Sequence, residues 1–481
     1  MSFERKENMK VLFATSEALP FAMSGGLADV SGALPKALRR RMIGARVVMP
    51  LYSCIPDELR EKMTFLCHFT VPVSWRRQYC GVFEAHMNGV IYYFLDNQYY
   101  FKRNGLYGHY DDAERFAFFS RAVLEMLQHI PFMPDIIHCN DWQTAMIPVY
   151  LNEFYKFDGL YANIKTVFTI HNIQYQGKYG KELYSDVLGL PEGRESIMEY
   201  DGCVNLMKGA IQCADKVTTV SPTYAKEILD PYYSHGLDNI LKQFTFKLTG
   251  IVNGIDYDVY NPLTDTFIYK NYSEETLKDK AFNKKKLQED MGLSVNKDTP
   301  LIGMVTRLVK HKGIDLVKCV FEDMLQGDVQ FVILGSGEWE FETFFYEMHN
   351  RYPDKVGLKL GFDQNLAHKI YAGSDIFLMP SKSEPCGLAQ MVALRYGTIP
   401  IVRKTGGLND TITDSGDGVG NGFTFENYNA HDMQNAVWRA VEGYKNKTGF
   451  NIMRKRAMEC NNSWAASANA YIRLYKEMLG K

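Results

Sequence analysis

The sequence predicts an α/β protein built from two Rossmann-like, doubly wound domains. Three observations carry that expectation. Short β-branched or apolar runs bounded by turn residues alternate with longer helical patterns, as in parallel α/β sheets. The runs fall into two sets, separated by a polar, Lys-rich stretch over 270–299 that holds one helical pattern and no strong strand. A chain of 481 residues also has room for two or more domains at roughly 100–200 residues each.

The first set of strand-like runs covers 10–15, 45–49, 90–95, 136–138, 165–170 and 216–220. The second covers 301–305, 330–334, 357–360, 376–379 and 398–402. Helical patterns at 115–130, 388–396 and 431–444 lie between them. A turn at Gly250 to Asn253 places the hinge near 250–255, which gives an N-terminal domain over 1–252 and a C-terminal domain over 253–462. The segment 463–481 reads as an amphipathic helix with Trp464, Ala468, Tyr471, Leu474 and Met478 on one face. In such sheets ligands bind beyond the carboxyl ends of the strands, so two facing domains with a cleft between them suit a two-part substrate.

Composition excludes several classes. Lys plus Arg number 54 against 56 for Asp plus Glu, a net charge of −2 without segregation, which argues against a nucleic-acid partner. No apolar run reaches the roughly 18 residues of a membrane helix, and the charged start from Met1 to Lys10 lacks the apolar stretch expected of a signal peptide. The nine cysteines are scattered with no C-x-x-C pair, which fits reduced core thiols better than disulfides or zinc. A cytoplasmic protein with no membrane partner, no metal and no cofactor is expected. Aromatics at 13% are slightly rich; most belong to the core, though Tyr and Trp also offer flat faces to sugar rings.

The candidate chemistry sits where strands end. After the first run comes Ser16-Glu17-Ala18-Leu19-Pro20-Phe21-Ala22-Met23-Ser24-Gly25-Gly26-Leu27, then a helix from about Ala28. Paired glycines at a helix start let the backbone approach an anion and present N–H groups to it; a tight strand-to-helix turn is the alternative reading. A second copy, Arg403-Lys404-Thr405-Gly406-Gly407-Leu408, follows the run at 398–402, and if the domains face each other both turns could address the same phosphates. Thr306-Arg307-Leu308-Val309-Lys310-His311-Lys312-Gly313 places Arg307 and Lys312 beyond a strand end, where a leaving phosphate would sit; a solvated basic loop is the alternative reading. Pro380-Ser381-Lys382-Ser383-Glu384-Pro385-Cys386-Gly387-Leu388 presents a Glu able to accept from sugar hydroxyls or face developing positive charge, or else to serve only as a helix-start carboxylate. His138-Cys139-Asn140-Asp141-Trp142-Gln143, Thr169-Ile170-His171-Asn172 and Val252-Asn253-Gly254-Ile255-Asp256 carry groups of the kind that orient a polyol, or that simply cap turns. Asp111-Asp112 reads as a turn rather than a metal site.

Taken in order, these motifs resemble the bacterial glycogen synthase and plant starch synthase family over nearly the whole chain. The resemblance rests on Ser24-Gly25-Gly26-Leu27-Ala28-Asp29-Val30, His171-Asn172-Ile173-Gln174-Tyr175-Gln176-Gly177, Val220-Ser221-Pro222-Thr223-Tyr224, Arg307 to Gly313, Glu384 to Leu388 and Lys404 to Leu408. It implies a GT-B fold, with the C-terminal helix crossing back onto the first domain. It also implies retaining transfer of glucose from ADP-glucose to the non-reducing 4-hydroxyl of an α-1,4-glucan. Carried over by motif, Arg307 and Lys312 hold the diphosphate and Glu384 adjoins the transferred glucose, while Asp141, His171 and Asn253 line the glucose subsite. Met23, Ser24, Gly25 and Gly26, with Cys386, Gly387, Leu388, Thr405, Gly406, Gly407 and Leu408, belong to ADP-glucose binding. Phe362 stands where an aromatic stacks on adenine, and Tyr107 on the acceptor side.

One departure is expected to matter: the family's first turn commonly reads K-x-G-G-L, and Met23 occupies the Lys position. Arg307, Lys312 and the helix start remain, so activity is expected to survive. The competing readings are a UDP-glucose-dependent transferase of the same fold, including one making sucrose or trehalose, and a glucan-binding homologue without catalysis. A nicotinamide dehydrogenase is disfavoured because neither half has G-x-G-x-x-G after its first strand, and no motif points to the pyridoxal lysine of a phosphorylase.

Overall fold

The structure, a computed structural model, describes residues 9–481, so most of the charged start lies outside the described residues. The chain divides into two compact units. One takes the chain up to Val220, Ala225–Ile251 and Trp464–Lys481; the other takes Ser221–Tyr224 and Val252–Ser463. Among the described residues no helix is long and apolar enough to cross a membrane.

The first unit is built, among the described residues, on a nine-stranded sheet. Its spatial order is Leu248–Gly250, Lys216–Thr219, Lys165–Ile170, Ile136–Asn140, Lys10–Ala14, Gly44–Pro50, Val90–Asp96, Arg76–Met87 and Thr64–Val73. The first seven run parallel, and Val11 to Ala14 and Ile136 to Asn140 are buried throughout, as in strands covered by helices on both faces. The last two strands form an antiparallel hairpin that the sequence reading missed. At the sheet edge they leave Phe65, Leu66 and Tyr79 exposed, so the apolar signal is broken there. A small sheet of Lys178–Tyr179, Cys203–Asn205 and Glu199–Tyr200 was also not anticipated; strands of two or three residues carry almost no periodicity.

The C-terminal helix Trp464–Met478 packs on helix Gly26–Arg39 and buries Trp464, Ala468, Tyr471, Leu474 and Tyr475. Tyr475 is tied to His138, whose Nδ1 lies 2.7 Å from the phenol oxygen, and burial pushes this imidazole down to about 3. His138 is therefore a neutral core group. Asp112 pairs with the fully buried Arg115, and Asp111 with Arg103 at 2.8 Å, so these two acids hold a loop in place.

Among the described residues the second unit has six parallel strands in the order Val356–Leu360, Gln330–Gly335, Leu301–Val305, Ile376–Met379, Ile399–Arg403 and Phe423–Phe425. The last of these was not foreseen from sequence. Helix Lys280–Asp290 occupies the Lys-rich stretch, burying Lys280, Lys284 and Leu287 on one side. All nine cysteines are free thiols, but only Cys80, Cys139 and Cys386 are buried and Cys54 and Cys319 are exposed, so the expectation of core thiols holds for three.

Among their parallel strands, the nine-stranded and six-stranded sheets each reverse their strand order once. In the first unit the reversal falls between Lys10–Ala14 and Ile136–Asn140, and in the second between Leu301–Val305 and Ile376–Met379. Loops leaving the carboxyl ends on either side of such a point splay apart and open a crevice.

Candidate active site

In the first unit, three neighbouring strands deliver the candidate residues. Lys10–Ala14 leads to Glu17 and the glycine turn, Ile136–Asn140 to Asp141, and Lys165–Ile170 to His171. Asp141 has φ 57° and ψ 179°, a backbone state that L residues rarely adopt and that costs on the order of 1–3 kcal/mol. That twist turns its carboxylate back onto the next strand end, where it accepts from the His171 N–H at 2.7 Å and from the Asn172 N–H. Burial raises its pKa to about 7, against the pull of those two donors. The amide nitrogen of Asn140 donates to Ala14 and His138 carbonyls, which leaves its oxygen, 2.9 Å away, to accept from His171 Nε2. Burial lowers His171 to about 3, so the ring is neutral with its proton on Nε2.

The first glycine turn departs from expectation. The N–H groups of Ser24 and Gly25 do not wait for an anion: both donate to the Glu17 carboxylate, which also takes the Ser24 hydroxyl. Burial raises the Glu17 pKa despite these donors. Sequence reasoning passed over Glu17, although an acid between a strand end and a glycine turn was the available signal. The helix itself begins at Gly26, two residues earlier than expected. A Cβ added at Gly25 or Gly26 meets nothing within 4 Å, so neither packing nor backbone conformation demands glycine there. Met23 projects into solvent, 52% exposed. Tyr107 joins this group through a 2.7 Å bond between its hydroxyl and Ser16 Oγ, and burial beside Glu17 drives its phenol well up.

In the second unit the candidates again leave adjacent strand ends. Lys312 Nζ lies 2.7 Å from Glu384 Oε2, and Ser381 Oγ donates to the same oxygen at 2.9 Å. Glu384 is 7% exposed and sits in a loop five residues before helix Ala389–Arg395, which removes the helix-start reading of this carboxylate. Arg307 is exposed, with His311 Nε2 at 3.4 Å as its neighbour; His311 is held below its usual range by partial burial and by Lys312 and Arg307. The loops are stitched together by Lys382 N donating to the His311 carbonyl at 2.9 Å. The buried Arg403 completes the stitch, bonding the carbonyls of Ser381, Lys382 and Glu426. A charged residue ending an apolar strand was the signal for Arg403. The Ser221 hydroxyl holds the Pro385 carbonyl at 2.7 Å.

The second glycine turn differs in kind from the first. Thr405, Gly406, Gly407 and Leu408 are buried, and the Gly407 N–H is shared between the Glu384 and Pro385 carbonyls at 3.1 Å each. A Cβ on Gly406, at φ 43°, would lie 2.0 Å from the Glu384 oxygen, and one on Gly407 2.1 Å from the Cys386 oxygen. The expectation that this pair offers donors to a phosphate is corrected for Gly407: these glycines let the turn close against the Glu384 segment. Cys386 is buried, its thiol pushed up to about 12, and takes the Asn253 N–H. Asn253 Oδ1, buried beside it, has no partner among the described residues. Gly387 and Leu388 are half-buried in the same loop. Phe362, 83% exposed, follows edge strand Val356–Leu360, two strand spacings, about 10 Å, from Leu301–Val305. Among the described residues no cluster of His, Cys, Asp or Glu suits a metal ion.

Residues 10–243 match the starch synthase catalytic domain family, and residues 286–456 match the glycosyl transferases group 1 family. With a parallel sheet in each unit that reverses its strand order, these matches define a GT-B glycosyltransferase. A sucrose-phosphate synthase of Thermosynechococcus elongatus shares the fold at TM-score 0.62 and 17% identity, covering 98% of this chain and 99% of that one. Much nearer is the catalytic domain of starch synthase IV from Arabidopsis thaliana, bound to ADP and acarbose, with TM-score 0.90, 35% identity and 98% of this chain and 100% of that chain covered. A glycogen synthase of Geobacillus thermodenitrificans is 53% identical over 478 residues, 98% of each chain. The chain belongs to the glycogen synthase and starch synthase family and is a glucosyltransferase.

Proposed function

We propose that the protein transfers glucose from ADP-glucose, with retention, to the non-reducing 4-hydroxyl of an α-1,4-glucan. The observation that carries this reading is the Lys312–Glu384 pair with Arg307, set on the two sides of the second unit's strand reversal. A nucleoside diphosphate is already a weakly basic leaving group. Its departure needs charge stabilisation rather than a proton, so the two carboxylates of a glycoside hydrolase are not required. Arg307 offers a planar fork to the diphosphate, and the Lys312 ammonium, with three donors, serves a phosphate oxygen while keeping Glu384. Glu384, held by Lys312 and Ser381, faces the sugar as charge develops on it. Phe362, exposed, offers its ring to adenine.

In the first unit the neutral His171 adds no positive charge beside an oxocarbenium-like sugar. It acts as a hydrogen-bonding and shielding group, fixed by Asn140 and Asp141. The unsatisfied Asn253 oxygen accepts from a glucose hydroxyl, and Tyr107 belongs to the acceptor side. Same-face attack, with the departing phosphate oxygen taking the acceptor proton, gives retention without an enzyme nucleophile. Incubation with glucose-labelled ADP-glucose and glycogen, scoring label in precipitable polymer, tests the reading. A parallel UDP-glucose arm decides the base: equal incorporation from both removes the ADP assignment, and incorporation from neither removes the activity.

A further inference from the structure

The second unit's sheet has another working end. Opposite the Arg307–Glu384 cluster, where strands Leu301–Val305 and Ile376–Met379 begin, lies a pocket of about 280 Å³. Five strand residues at about 3.3 Å each put roughly 16 Å between it and Arg307. Among the described residues its wall carries six basic side chains, Lys278, Lys280, Lys284, Lys285, Lys297 and Arg454, against one carboxylate, Asp375.

That carboxylate is oversubscribed. Asp375 pairs with Lys284 at 2.8 Å and with Arg454, and accepts the Leu301 N–H at 3.0 Å. Lys280, fully buried, has carbonyls of Tyr371 and Ala372 and the Thr398 hydroxyl as partners, but no carboxylate among the described residues. Burial and the neighbouring Arg454 push its ammonium well below the usual range. Lys447, 3.2 Å from the Tyr444 ring centre at the same wall, is lowered too. The Arg454 Nε–H is buried and meets no acceptor among the described residues. At the rim, Lys278, Lys285 and Lys297 are exposed, and Lys285 has Glu289 at 3.8 Å.

Partly buried positive charge in excess of its counter-charge is unfavourable, and a small anion relieves it. A guanidinium beside several ammonium groups matches a compact multivalent oxyanion, since Arg supplies directed donors and Lys point charges. The volume admits a phosphate or a small phosphomonoester and refuses a polymer. We propose that this pocket is a second anion site, separate from the donor-phosphate cluster, that takes a phosphate dianion as inorganic phosphate or as a small phosphomonoester.

Thermal melting of the full chain against inorganic phosphate, at ionic strength balanced with chloride, tests this. At tenfold the dissociation constant the midpoint rises by about 2–5 °C. Lys285→Ala/Lys297→Ala, at two exposed positions, loses most of that rise, while Arg307→Ala/Lys312→Ala keeps it. A hexose monophosphate titrated in parallel separates the sources: a tenfold tighter response makes the sugar part of the ligand, and an equal or weaker one assigns the site to inorganic phosphate. Should the double variant melt early, ³¹P line broadening of phosphate is compared between wild type and Lys297→Ala. Equal broadening, an equal midpoint response in the rim variant, or no response in the wild type overturns the proposal.

Discussion

Replacing Lys312 by Ala separates catalysis from stability. The change removes the ammonium 2.7 Å from Glu384 Oε2 and leaves that carboxylate, 7% exposed, with the Ser381 hydroxyl at 2.9 Å. Loss of one preorganised group that meets growing leaving-group charge lowers turnover by about 10²–10³, or about 3–4 kcal/mol. Independently, a buried carboxylate short of its charged partner costs about 1–3 kcal/mol of stability. In a unit of this size, that lowers the midpoint by about 2–10 °C. Adding Glu384→Ala removes the stranded charge, so the double variant regains part of the melting loss while its rate falls by less than the product of the single effects. Initial rates of label transfer to glycogen at saturating donor, read beside melting curves, give both quantities. Turnover of Lys312→Ala within threefold of wild type, in a protein that melts normally, would refute the assignment of this ammonium to the leaving group.

The two glycine turns respond oppositely: Gly406→Ala, facing a 2.0 Å approach to the Glu384 oxygen, lowers the melting midpoint by several degrees, whereas Gly26→Ala melts as wild type and raises the donor KM. Met23→Lys, at a 52% exposed position, lowers the donor KM about two- to fivefold at low salt, and the gain shrinks in 0.5 M salt as an exposed charge requires. For Asp141, whose pKa is raised to about 7 from 3.8, the folded state binds the proton more tightly than the unfolded one, so its contribution to stability falls as pH rises from about 4 through about 7. Melting of wild type and Asp141→Asn across pH 4–9 therefore shows the wild type losing ground to the variant over that window and level above it; a constant difference contradicts the shift.

The apolar parallel strands were legible because burial on both faces leaves an unbroken run, as in Val11 to Ala14 or Phe331 to Leu334. The hairpin at Thr64–Val73 and Arg76–Met87 was hidden by its exposed edge, and Phe423–Phe425 by its three-residue length. Among the candidate site residues, Arg307, Lys312 and Glu384 were visible because charged groups follow the carboxyl ends of apolar strand runs, where ligands bind in such sheets. Their mutual arrangement was not. Nothing in the spacing of Lys312 and Glu384 says that they touch, because 72 residues and a change of strand direction in the sheet order lie between them. The meaning of the two GGL turns was equally closed to sequence: identical letters serve an open turn at Gly25 and Gly26 and a packed one at Gly406 and Gly407.

That contrast bears on how an anion is received. In both units the obvious donors already hold a carboxylate: Ser24 and Gly25 hold Glu17, and Lys312 holds Glu384. The two cases differ in what they retain for a ligand. An ammonium has three N–H donors, so Lys312 can keep Glu384 while addressing a phosphate, and an anion offered there would add to the existing pair. A backbone N–H has a single proton, so an anion reaching the Ser24–Gly25 turn must displace Glu17 or find it protonated, and burial has already raised that carboxyl's affinity for a proton. An anion offered to the first turn would therefore exchange for the Glu17 carboxylate, more weakly than at an empty turn and more weakly still as pH rises. With Met23 supplying no cation to favour the incoming charge, discrimination between an anionic and a neutral ligand there falls to Glu17, and Glu17→Gln, which keeps an acceptor without the charge, is the substitution that removes it.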